Sequence, residues 1–289
     1  AIAALVAPDE TASDLFRTLR SSRGTGIACL DQHLPGGSLG PGQLVALHGE
    51  TGCGKSVLLR NALAAYILPQ SCGGHALPSV LIDAERTFDP AILARLLRAR
   101  LMSSEDWRRQ AAEEKLDVAE AVSECLARLL ILSPSEPIDM LRQLRQLKKV
   151  LAANPTAGIL AVDSMSAWQS LAAAFPRTVG PPLKECWRAL ARLQAEHCIA
   201  VVVTHRDPVA TEGNAAIGGN LHLGLRRLVT ASVNVAGHEG MDVDDGDDEL
   251  CSKTVQFNEV FTLTAWAQAA AVQPTSFVVS PAGEVITCN

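Results

Sequence analysis

The sequence is short of several things, and each shortage excludes something. Aromatic residues make up only 4% of its 289 positions, with a single tyrosine, so the core must be built chiefly from Leu, Ala, Val and Ile. No apolar run approaches ~18 residues without a charge, so no membrane-spanning helix is expected. Ala1 to Ala7 is too short for the apolar stretch of a secretory signal. Cysteines stand at 29, 53, 72, 125, 186, 198, 251 and 288, yet they form no Cys-x-x-Cys pair and meet no matching His spacing. That scatter argues against zinc and for small thiols in a reducing compartment. Positive charge is not in surplus either: the net charge is −6, where a chain acting alone on nucleic acid usually carries a basic stripe. Carboxylates gather at Asp242, Asp244, Asp245, Asp247, Asp248 and Glu249, either a solvated loop or a docking point for a partner. No internal repeat or low-complexity linker divides the chain. One domain over residues 23–289 is expected, preceded by an arm over 1–22 in which Leu15, Phe16 and Leu19 have helical spacing.

What is present centres on Gly49-Glu50-Thr51-Gly52-Cys53-Gly54-Lys55-Ser56, a complete G-x-x-x-x-G-K-[ST] phosphate-binding loop. It lies between an apolar strand-like run, Gln43 to His48, and a helical run, Val57 to Leu68. This is the context the motif needs, because the loop must leave a buried strand and open a helix whose first amides face the phosphates. Gly49, Gly52 and Gly54 let the backbone wrap a triphosphate, Lys55 can bridge its β- and γ-phosphates, and the Ser56 hydroxyl can bind Mg²⁺. Cys53, at a helix N-terminus beside Lys55, is either a reactive thiol or a small residue that fits the loop.

Apolar strands and amphipathic helices then alternate. Val80 to Asp83, Leu129 to Leu132, Gly158 to Asp163 and Cys198 to Thr204 read as strands. Helices are expected through Ile92 to Leu97, over 105–127, and through Met140, Leu144, Leu147 and Leu151. The last of these carries Arg142, Arg145, Lys148 and Lys149 outward, a face that is either solvated or in contact with nucleic acid. A loop is expected over Gln169 to Pro182, before a helix through Trp187, Leu190 and Leu193. From Val229 onward, strands follow one another without a long helix and should pair antiparallel at the sheet's edge. The fold class is therefore α/β, a mostly parallel central sheet with helices on both faces and antiparallel C-terminal edge strands.

In such sheets ligands gather at the carboxyl ends of the strands. Asp163, after four apolar residues, has the form of a Walker B carboxylate that would share Mg²⁺ with Ser56, unless it merely caps a helix. Glu85, just past the second strand, could polarise a water attacking the γ-phosphate or could be a surface loop residue. Thr204-His205-Arg206 could sense a γ-phosphate, or His205 could be a satisfied loop histidine. A dense arginine group, Arg95, Arg98 and Arg100, would suit a small-molecule kinase lid, but its helical spacing points to solvent.

Taken in order, Gly24-Thr25-Gly26, Leu30-Asp31, the phosphate loop, Ile82-Asp83-Ala84-Glu85-Arg86-Thr87-Phe88, Val162-Asp163-Ser164 and Ile217-Gly218-Gly219-Asn220 resemble the ATPase core of RecA-like recombinases, a P-loop NTPase fold. Tyr66-Ile67-Leu68-Pro69, Phe88-Asp89 and Val162-Asp163-Ser164-Met165-Ser166-Ala167-Trp168 resemble the DNA-repair paralogs of that family. The resemblance implies ATP and Mg²⁺ as cofactors, Glu85 as the catalytic carboxylate, and a nuclear role in homologous recombination. The partners it implies are other recombinase paralog subunits in a hetero-oligomer, with single-stranded DNA reached through the complex. Full recombinases carry a helical domain and a linker ahead of the core, where about 20 residues stand here, so a place at the end of an assembly is expected. Departures from the family pattern also matter. His205-Arg206 replaces Asn-Gln, Arg86 stands where Gly is expected, and the first DNA loop, Gln169 to Lys184, offers only Arg177 and Lys184. The second loop, Asp207 to Ile217, offers no cation, so little phosphate neutralisation is available to either. A self-sufficient DNA-dependent ATPase or strand-exchange recombinase is the alternative.

Overall fold

Every residue of the first strand, β1 (Leu44–Gly49), is buried, and the chain is built around it. A computed structural model describes residues 21–206, 231–239, 259–267, 270–271 and 275–288. The acidic cluster, the second DNA loop, Ile217 to Asn220 and residues 1–20 of the arm lie outside the described residues.

A short helix, α1 (Ala28–Asp31), precedes β1, and α2 (Lys55–Ile67) follows it. Next come β2 (Ser79–Asp83), α3 (Pro90–Ser103), α4 (Glu105–Glu114), α5 (Val118–Ala127) and β3 (Leu129–Leu132). The middle of the chain adds α6 (Pro137–Ala153), β4 (Ile159–Asp163), α7 (Gln169–Ala174), α8 (Gly180–His197) and β5 (Ala200–Arg206). The remaining strands are β6 (Ala231–Glu239), β7 (Glu259–Ala267), β8 (Ala270–Ala271), β9 (Thr275–Val279) and β10 (Val285–Cys288).

Among the described residues, the strands join one sheet in the order β10-β9-β7-β6-β1-β5-β4-β2-β3, with β8 on β7. From β6 to β3 every neighbouring pair is parallel, and β7, β9 and β10 add antiparallel strands at one edge. The α/β expectation holds, with one correction: β6 extends the parallel sheet beside β1 and does not join the antiparallel group on both sides. Two buried layers explain the uninterrupted apolar runs of β1, β4 and β5. One face packs Leu59, Leu63 and Tyr66 of α2; the other packs Leu144, Leu147 and Leu151 of α6 with Trp187, Leu190 and Leu193 of α8. Outside α2, α3 and α5 bury Leu93, Leu97 and Cys125 around Trp107.

Three sequence expectations are corrected. Residues 105–127 form two helices, because Lys115 adopts a left-handed conformation (φ 54°) that ends α4. The Asp117 side chain then accepts from Ala119 N at 3.0 Å to start α5; a carboxylate at such a position satisfies an amide with no partner inside the helix. Residues Gln169 to Pro182 are not all loop: they contain α7, and Pro181 and Pro182 lie in the first turn of α8, where a missing N–H costs nothing. Cys198 does not open β5; it caps α8 at φ 51°. Arg86 also has positive φ, 56°, which accounts for the glycine the family pattern carries there.

Tyr66, 1% exposed, couples helix to sheet. A Cβ on Gly158, at the entry to β4, would lie 2.6 Å from its ring and 2.9 Å from Leu77. Gly158→Ala is accordingly expected to cost about 1–3 kcal/mol from overpacking, read as a lower urea midpoint with an unchanged slope. The thiols provide a second check. Cys29, Cys125 and Cys186 are buried, and burial pushes Cys186 up to about 12, whereas Cys198 is exposed. In peptide mapping after maleimide treatment, Cys198 should label in the native protein and these three only after unfolding.

Candidate nucleotide site

The phosphate loop turns on glycines with positive φ: Gly52 at 86° and Gly54, the residue before α2, at 88°. Gly49, at φ 150°, is crowded as well. A Cβ there would meet Val235 O at 2.1 Å and Cys53 Sγ at 2.9 Å, so β6 closes over the start of the loop. Cys53 is buried within the core on this face, and Lys55 Nζ donates to its Sγ at 3.3 Å. The thiol fills the space beneath the loop.

Lys55 Nζ also donates to Gly49 O at 3.0 Å and to Glu50 O. Its ammonium is held inside the ring of backbone that the loop makes, at the place where phosphate oxygens would replace those carbonyls.

Across from the loop stand the ends of β2, β4 and β5. The backbone carbonyl of Asp163 accepts from Ala84 N at 2.7 Å and Glu85 N at 3.2 Å, which aligns the two carboxylate-bearing strand ends. Ser164 Oγ donates to Glu85 Oε1 at 2.6 Å. Thr204 Oγ1 donates to Asp163 Oδ1 at 2.6 Å, and the Ser56 hydroxyl lines the same cavity across from this carboxylate. Burial raises the Asp163 carboxyl above its ordinary value, opposed by the Thr204 and Ser56 hydroxyls and reinforced by the charges of Glu85 and Asp83. Asp83 itself turns away from the cavity, accepting from Thr87 N at 3.1 Å and Phe88 N at 3.0 Å.

These groups enclose a cavity of about 220 Å³ lined by loop residues Thr51, Gly52, Gly54, Lys55 and Ser56 and, opposite them, by Glu85, Asp163, Ser164, Thr204 and Arg206. Of the expected loop residues, Gly49 and Glu50 contribute carbonyls to Lys55, and Cys53 lies beneath the cavity. Arg177, between α7 and α8, and Lys184, on α8, are exposed and do not line it. His205 is buried, paired in register with His48, while its neighbours Thr204 and Arg206 point to the cavity; a strand's twofold alternation separates them. Of Arg95, Arg98 and Arg100, the first two are exposed. Arg100 turns inward instead of to solvent, donating to Asn61 Oδ1 at 2.8 Å. None of the three lines the cavity.

Sequence reasoning missed Ser164 as the group that holds Glu85. It was visible only as a polar residue after a strand-end aspartate. Gly24, Thr25 and Asp31 serve the fold: Thr25 N donates to Asp31 Oδ1 at 2.8 Å, and His75 Nε2 donates to Gly24 O at 2.8 Å.

Whether a divalent cation suits the site turns on its donors. A hydroxyl and a half-buried carboxylate whose proton affinity is raised by desolvation and by neighbouring acids are hard oxygen ligands in need of positive charge. Among the described residues, no group of three or more His, Cys, Asp or Glu side chains stands ready to hold a metal. Phosphate and water would therefore complete the shell, the usual habit of Mg²⁺.

No family model matches the chain. It is similar to the DNA repair protein XRCC2 of Mus musculus, 28% identical over 185 residues, which cover 61% of this chain and 60% of the relative. The chain thus spans less than two thirds of the length of the curated relative it matches. This similarity supports the resemblance to a RecA-like recombinase paralog of the X-ray repair cross-complementing group 2 type. Among the described residues, no helix is long and apolar enough to cross a membrane.

The Thr204 bond gives the site a stability test. Thr204→Val should leave the half-buried Asp163 short of a charge-assisted hydrogen bond and lower stability by about 1.5–3 kcal/mol. Thr204→Ser should retain most of it, with both read from urea unfolding.

Proposed function

We propose that the chain is an ATP-binding recombinase paralog, acting in the nucleus as one subunit of a hetero-oligomer that assists recombinase assembly on single-stranded DNA in homologous recombination repair. The observation that carries this reading is the convergence of Lys55, Ser56, Glu85 and Asp163 on one cavity. Similarity to a protein named for DNA repair supports the process.

The geometry supports a role for each residue. The loop amides and Lys55 bind the polyphosphate, Lys55 exchanging its backbone carbonyls for phosphate oxygens. Ser56 and Asp163 would hold Mg²⁺, which when bound neutralises charge on the β- and γ-phosphates. Glu85, oriented by Ser164, is placed to accept a proton from a water at the far wall. The segment matching the first DNA loop offers only two cations, Arg177 and Lys184, both exposed. Contact with single-stranded DNA would therefore come mainly through partner subunits. The position of Glu85 on the cavity favours one second reading, a self-sufficient DNA-dependent ATPase or strand-exchange recombinase.

Equilibrium titration with fluorescent ATP and Mg²⁺ tests the site. Lys55→Ala and Asp163→Asn should each weaken binding by about tenfold or more, roughly 1.4 kcal/mol. Native mass measurement of co-purified assemblies should find other recombinase paralogs. Long filaments of the purified chain alone on single-stranded DNA would contradict the assembly reading. Turnover stimulated by that DNA and abolished in Glu85→Gln would favour the second reading.

A further inference from the structure

Two helices on the face of the sheet opposite α2 carry a basic surface that the nucleotide site does not use. α6 and α8 each lead into a parallel strand, so they run in the same direction, and they pack side by side over the sheet. Their buried stripes turn the opposite positions to solvent, given a repeat of 3.6 residues. On α6 these outer positions are Arg142, Arg145 and Lys149; on α8 they are Lys184, Arg188 and Arg192, and all are exposed. Lys148 lies between the helices and pairs with Glu196 at 2.7 Å. The buried stripes hold the helices together, and this bridge connects their rows into one surface.

The charge is concentrated. These two helices carry seven lysines and arginines against three carboxylates, Asp139, Glu185 and Glu196, in a chain whose net charge is −6. Glu185 and Glu196 are engaged by Arg188 and Lys148. Among the described residues, Arg142, Arg145, Lys149, Lys184 and Arg192 have no carboxylate within ion-pair distance. Lys184, Arg188 and Arg192 stand four residues apart, a row about 12 Å long at 1.5 Å per residue, with the second row about 8–10 Å away.

The two helices themselves also lack something. Neither exposes a Phe, Tyr or Trp, since Trp187 is in the core, and the exposed ring nearest in sequence, Phe175, stands on the segment before α8. Single strands are held by stacking their bases on such rings, whereas duplexes are held without sequence preference by cations on phosphates. We infer that the α6–α8 face binds the phosphate backbone of double-stranded DNA, at a place separate from the nucleotide cavity.

Fluorescence anisotropy of the full chain with a short labelled duplex at low salt tests this. The triple variant Arg145→Glu, Lys149→Glu, Arg192→Glu is expected to bind at least about tenfold more weakly, with the slope of log affinity against log salt shallower by about 2.7. The milder Arg142→Gln, Lys184→Gln double should lose about 1.8 of that slope, which keeps the test decisive if the triple variant folds poorly. Arg95→Glu with Arg98→Glu, exposed on α3, should leave affinity within about twofold, as expected for positions outside the contacted phosphates. Absence of duplex binding by the unaltered chain, or an unchanged slope in the folded variants, would overturn the inference. So would tighter binding to polyglutamate or to single-stranded DNA than to the duplex.

Discussion

The site depends on how the end of β4 is held between β2 and β5. The Asp163 carbonyl accepts from Ala84 N and Glu85 N, while its side chain accepts from Thr204 on the other side. A residue's shift in either pairing would move a side chain to the opposite face of the sheet. Register therefore fixes which polar groups meet: Glu85 and Asp163 share the cavity, and Asp83 stays below to cap the turn after β2. The same alternation puts Thr204 and Arg206 on the cavity and sends His205 into the sheet beside His48.

A sheet that holds carboxylates this way works against solvation. Burial and neighbouring acids raise the proton affinity of Asp163, and two hydroxyls offset part of that penalty. Opposite it, the Lys55 ammonium is satisfied by its own loop. Negative and positive partners thus face each other across about 220 Å³, each satisfied locally and each able to exchange neutral partners for a ligand. Such an arrangement suits a bound polyphosphate better than a closed ion pair, because no salt bridge between Lys55 and Asp163 must first be broken.

Much of this was legible in the chain. The spacing of Gly49 to Ser56 required a strand before it and a helix after it, and apolar runs ending in Asp83 and Asp163 required buried parallel strands. Less legible were the interruptions. Lys115 ends α4 in a conformation that lysine does not favour, so nothing in its residue type announced a break. Arg100 has the spacing of a solvent-facing residue, yet Asn61 on α2 turns it inward. Pro181 and Pro182 look like loop residues until they are seen in a first helical turn.

By itself the sequence determined the local chemistry: a loop able to wrap phosphates, the strands that deliver carboxylates, and the apolar faces that cover them. These follow from patterns a few residues long, where backbone geometry dictates residue type. Only the tertiary structure decided which of those groups meet. Ser164 on Glu85, Thr204 on Asp163, β6 over Gly49 and the joining of two basic helix faces through Lys148 and Glu196 are contacts between distant segments. They are set by sheet order and register, which no single segment encodes.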